Sequence, residues 1–114
     1  MLKSENKRII MDEGDYGINL PFKISGDVSE SDKFLFIIKK DHNQEEIIRK
    51  EYSNLSKDEE GKLSFDLCFD KEESMKLPVG YYIYIIRQCR DCELHNTIER
   101  NGEFQVKEGA GEWT

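Results

Sequence analysis

From Lys62 to Phe69 the sequence KLSFDLCF sends Leu63, Phe65, Leu67 and Phe69 to one side and Lys62, Ser64, Asp66 and Cys68 to the other. A repeat of two belongs to an extended strand, whose successive side chains leave opposite faces; wound into a helix, the same residues would scatter around the cylinder. YGINLPFKI, residues 16 to 24, repeats the device, with Tyr16, Ile18, Leu20, Phe22 and Ile24 expected to face inward. Pro21 has no N–H to give to a ladder, which restricts this second strand to an edge, a bulge or a break.

The rest of the chain reads the same way. KRIIMD (7–12) predicts a short strand, and KFLFIIKK (33–40) is apolar on both faces, as a central strand is. DHNQ (41–44) supplies a turn into EIIRKEY, completing a hairpin. In LPVGYYIYIIR (77–87), Pro78 ends the preceding turn and Gly80 permits a sharp entry into a strand with Tyr82, Tyr84 and Ile86 on its core side. Asn101 and Gly102 lie between TIER and EFQV, where Asn-Gly predicts a two-residue hairpin, and Phe104 and Val106 then face inward. The one helical candidate is DKEESMKL (70–77), a single acidic-led turn stopped by Pro78. About seven to eight short strands predict an all-β fold, an immunoglobulin-like antiparallel β-sandwich formed by residues 1–114 as a single domain. Its expected core contains Phe22, Phe65, Leu67, Tyr82, Tyr84, Ile86 and Phe104.

A chain of 114 residues can bury roughly 60 to 70% of its unfolded surface in one core. Its net charge of −7, with Lys and Arg scattered among Asp and Glu, argues against nucleic acid or anionic lipid as a partner. The longest apolar run, Tyr81 to Ile86, falls far short of the ~18 residues a membrane helix needs, so no membrane span is expected. The opening LKSENKRII lacks the apolar region of a secretory signal, which points to the cytoplasm at synthesis. Cys68, Cys89 and Cys92 make an odd count, with reduced thiols the default.

CRDCELH is the stretch with ligand-like spacing: Cys89, Cys92 and His95 stand three apart and could supply part of a zinc site. A fourth ligand is missing, because Cys68 and His42 fall on other strands or turns, so a reduced hairpin tip is the favoured reading. The carboxylates of DEGDYG do not complete a calcium loop. No catalytic residue and no cofactor is expected. On the second face of the 80–87 strand, Tyr81, Ile83 and Ile85 form an apolar row that requires a cover, and Trp113 near the terminus is a further candidate contact.

The order of these elements, a Leu-x-x-Gly corner at Leu77–Gly80, a Tyr-rich strand ending at Ile86–Arg87, a polar hairpin and then Gly102-x-Phe104-x-Val106, resembles the β-sandwich domains of bacteriophage tail and baseplate proteins. The similarity is to the N-terminal domain of siphophage upper baseplate proteins. It extends upstream through GDYGINLPFKI and EEGKLSFDLCFDKEESMKLPVG, covering about residues 13–108. The chain departs from that pattern at Ile85, where such domains often carry an acidic residue. The resemblance implies a non-enzymatic structural module of a phage or prophage tail, acting as a homo-oligomer or with other tail and baseplate proteins and located in the bacterial cytoplasm at synthesis and in the virion tail once assembled. The alternative is an immunoglobulin-like binding or adhesion module of a bacterial surface protein.

Overall fold

A computed structural model describes residues 3–5, 7–91 and 94–109. Its strands are β1 (Lys3–Glu5), β2 (Arg8–Asp12), β3 (Leu20–Ile24), β4 (Lys33–Lys39), β5 (Glu46–Tyr52), β6 (Leu63–Leu67), β7 (Gly80–Arg90) and β8 (Leu94–Lys107), with one short helix, α1 (Lys71–Met75), between β6 and β7. The expected all-β class and strand number are met. Six strands form a sheet in the order β1-β2-β8-β7-β4-β5, and β3 pairs with β6 in a second sheet of two. Every pairing is antiparallel except that of β2 with β8, where Ile9 stands opposite Phe104 and Met11 opposite Val106.

The small sheet covers the inner face of the large one. Phe22 on β3 brings its ring within 6.0 Å of Phe36 and 6.3 Å of Tyr84, and stacks at 5.4 Å on Phe65 of its own sheet. Phe65 stacks in turn on Tyr52 of β5 at 4.3 Å. Two buried clusters result. One gathers Ile9, Phe36, Leu67, Tyr82, Tyr84, Ile86 and Phe104; the other gathers Ile24, Val28, Phe34, Leu63 and Phe65; Phe22 and Tyr52 pack against both.

α1 starts where Asp70 caps it: the Asp70 carboxylate accepts from the Glu73 N–H while the Glu73 side chain accepts from the Asp70 N–H. This reciprocal cap satisfies two amides that the first turn leaves open. Lys50 of β5 fixes the helix to the core by donating to the Cys68 carbonyl (2.6 Å) and the Glu73 carboxylate (2.9 Å). Gly80 then enters β7 at φ 157°, a conformation that side chains disfavour, which accounts for the glycine after Pro78.

Two expectations are corrected. The strand predicted from Tyr16 begins only at Leu20, and Tyr16 and Ile18 stay largely in solvent. Gly17 breaks the extended path with φ 77° and gives its N–H to the Phe69 carbonyl, while the partner strand β6 ends at Leu67, opposite Leu20. Nor does Asn101-Gly102 turn the chain. Neither residue adopts the positive φ that such a turn requires, and β8 runs through them without a break.

What the segment forms instead is a pair of bulges. Glu99 pairs with Ile86 and Gly102 with Tyr84, so Arg100 and Asn101 both oppose the single residue Ile85; Ile98 is a second insertion between the pairs Glu99–Ile86 and Thr97–Arg87. Glu99 secures the first bulge by accepting from the Arg100 and Asn101 N–H groups at 3.1 and 3.3 Å. Gly102 is present because of Tyr84. The Tyr84 ring lies flat across it, such that a Cβ there would stand 2.2 Å from Tyr84 Cζ, and the hydroxyl reaches over β8 to donate to the Lys7 carbonyl at 2.8 Å. Burial, aided by Glu99, pushes the Tyr84 phenol up to about 12, so it stays a donor across the physiological range.

Two stability outcomes follow from this packing. Phe65→Ala empties the stack between Phe22 and Tyr52 and is expected to cost about 3–5 kcal/mol in a denaturant titration. Gly102→Ala, a change of one methyl group, is expected to cost about 1–3 kcal/mol because Tyr84 must leave its site. A Gly102→Ala variant as stable as the parent would contradict the ring-over-glycine contact.

Candidate functional site

Because opposed residues of an antiparallel pair share a face, the register defines the outer surface of the large sheet. Tyr81, Ile83, Ile85 and Arg87 of β7 stand beside Lys39, Ile37 and Leu35 of β4 on one side and Gln105, Glu103 and Thr97 of β8 on the other. Tyr81 is 70% exposed, with its hydroxyl accepting from Gln105, while Ile83 and Ile85 are half-buried. The row predicted from sequence is therefore continuous and lies opposite the face that β3 and β6 cover. At its β2 end the charges are matched, Arg8 pairing with Glu103 at 2.7 Å.

At the β5 end the same face hollows into a basin of about 280 Å³. Ile37 and Ile85 lie in it with Lys39, His42, Glu46, Arg87, Thr97 and Arg100 around them. Two local devices shape it. The β4–β5 turn carries His42, whose Nε2 hydrogen-bonds the Asn101 side-chain oxygen at 2.6 Å, and the first β8 bulge brings Arg100 beside Arg87. Sequence reasoning missed this basin because its walls come from four strands, the β4–β5 turn and a bulge that the Asn-Gly pair disguised as a turn.

The ligand-like residues fall at the far end of β7. Cys89 and His95 are cross-strand partners, and Cys89 donates weakly to the Asp91 carbonyl at 3.5 Å. Cys92 and Trp113 lie outside the described residues, as does any contact they make. Cys68 follows β6, half-buried beside Phe69, on the other sheet. Among the described residues no three of His, Cys, Asp and Glu gather as a metal-holding group. No helix among them is long and apolar enough to cross a membrane.

Beside Cys89 lies a polar cluster that the sequence did not announce. Asp32, fully buried, accepts from Arg90 through both oxygens (Nε to Oδ1 2.6 Å, Nη2 to Oδ2 3.0 Å), from the Ser29 N–H at 2.8 Å and from Gln88 at 2.7 Å. Gln88 also donates to the Asp27 carbonyl at 2.9 Å. The cluster ties the β3–β4 loop to the end of β7, and its bonds are all internal, which marks it as a structural clamp. Hydrogen bonding to Arg90 holds the Asp32 carboxyl down at about 2, against the upward push of its burial, with Ser29 and Gln88 assisting.

A depressed carboxyl in the folded state contributes stability above its unfolded value near 3.8, and that contribution fades as pH falls through that value toward about 2. Asp32→Asn is expected to lower the Tm at pH 6 by several degrees, with the gap to the parent shrinking from pH 4 to pH 2. A gap that stays constant over that range would contradict the clamp.

Comparison with known protein families, with characterised proteins and with solved structures finds no match to this chain.

Proposed function

We propose that this chain is a non-enzymatic assembly module of a bacteriophage or prophage tail baseplate, an immunoglobulin-like sandwich whose second sheet is cut to two strands. The observation that carries the reading is the unequal layering. Two strands and a short helix cover one face of a six-stranded sheet, and the other face presents exposed Tyr81 and half-buried Ile83 and Ile85 in a row. A row of large apolar groups left partly in water is a contact surface awaiting a partner. Tail assemblies repeat their parts around an axis, and cyclic symmetry buries one such patch in every copy. The tail assignment adds to this the resemblance of the Leu77–Gly80 corner, the Tyr-rich strand and the Gly102-Phe104-Val106 order.

The expected outcome is self-association through this row. In light scattering at about 100 µM, the protein should run above its 13.4 kDa chain mass, and Ile83→Asp should return it to that mass while leaving its circular dichroism unchanged. A parent protein that remains at 13.4 kDa up to millimolar concentration would contradict the reading.

A further inference from the structure

The basin at the β5 end of the outer face differs from the apolar row beside it in its excess of positive charge. Lys39, Arg87 and Arg100 line it, and none of their side chains has an ion-pair partner among the described residues. Glu46 is the one carboxylate in the lining, cross-strand from Lys39, and pairs with Arg49 at 3.3 Å, while the nearby Glu99 accepts from the bulge amides, so three cations face a single carboxylate there. In a chain of net charge −7, a group of unpaired cations held around an apolar floor runs against the average of the surface. Charge complementarity then fixes the chemistry of what seats there.

We infer that the basin docks an acidic segment of a partner protein, a carboxylate side chain entering between Lys39, Arg87 and Arg100 while a neighbouring apolar side chain rests on Ile37 and Ile85. This deepens the assembly reading and rests on it: the row from Tyr81 to Ile83 joins copies of the chain, and the adjoining basin selects their neighbour. Two features favour a segment of protein. The floor is apolar, which a free inorganic anion does not use, and it runs without a break into Ile83 and Tyr81, so an extended segment has a surface on which to continue. Arginine suits the role, since its planar fork matches a carboxylate with two parallel hydrogen bonds.

The test uses the whole chain and a capped decapeptide of alternating glutamate and leucine, followed by amide chemical shifts. Saturable shifts should centre on Ile37, Ile85, Arg87 and Arg100. Binding should weaken at least tenfold in the Arg87→Ser, Arg100→Ser double variant, whose spectrum elsewhere should match the parent, and should weaken with added salt. A lysine-leucine peptide that binds as well, or a double variant that binds unchanged, overturns the inference. So does inorganic phosphate if it saturates the same residues with equal affinity, because the basin is then a free-anion site. A rise in mass that the double variant abolishes also overturns it, making the occupant an acidic loop of a second copy. Loss of self-association in Ile83→Asp is read separately, so the inference can fail while the assembly reading stands, and the reverse.

Discussion

The Tyr84 ring lying over Gly102 is the contact on which the arrangement of the large sheet depends. It joins three strands at once: the ring belongs to β7, the glycine to β8, and the hydroxyl ends on the Lys7 carbonyl at the entrance to β2. On the core side the same ring stacks on Phe36 of β4 at 5.3 Å and meets the edge of Phe22 from the small sheet. One side chain thus links both sheets and sets where β8 must have no side chain of its own. The β8 bulge begins immediately before that glycine, and the bulge in turn aims Arg100 at the basin. Core packing and outer-face chemistry are two consequences of one register.

The unequal layers have an energetic logic as well. Each sheet hides one face against the other, but two strands cannot cover six, and the helix that helps them is a single capped turn held by Lys50. The chain compensates at the margin with the Asp32–Arg90 clamp, which ties the β3–β4 loop to the end of β7. The buried Asp32 carboxylate holds its charge because both of its oxygens accept hydrogen bonds, from Arg90, Ser29 and Gln88. Among the described residues the outer face receives no such treatment, and its exposed tyrosine, half-buried isoleucines and cations without an ion-pair partner there are left open to another molecule.

Much of this was legible in the sequence where the signal is local. The 33–52 hairpin, the alternation at 63–67 and the acidic helical turn after Asp70 all follow from residues within a few positions of one another. The row of Tyr81, Ile83 and Ile85 was legible too, because a strand apolar on both sides has a second face wherever it sits. What could not be read depends on distant partners. Asp32 and Arg90 are 58 residues apart, and nothing near either says that they meet. The Asn-Gly pair misled because its usual meaning is conformational, whereas here the glycine makes room for a ring from the next strand. Tyr16 and Ile18 obeyed the alternation but had no strand beside them to bury against.

The central claim, that the outer face is a contact surface, is tested most directly by a soluble paramagnetic probe and the isoleucine methyl signals. Comparing dilute with concentrated protein, the account predicts that the Ile83 methyls become shielded from the probe as concentration rises, while those of the core isoleucines Ile9 and Ile38 stay shielded throughout. Ile83 methyls equally open to the probe at every concentration would contradict it.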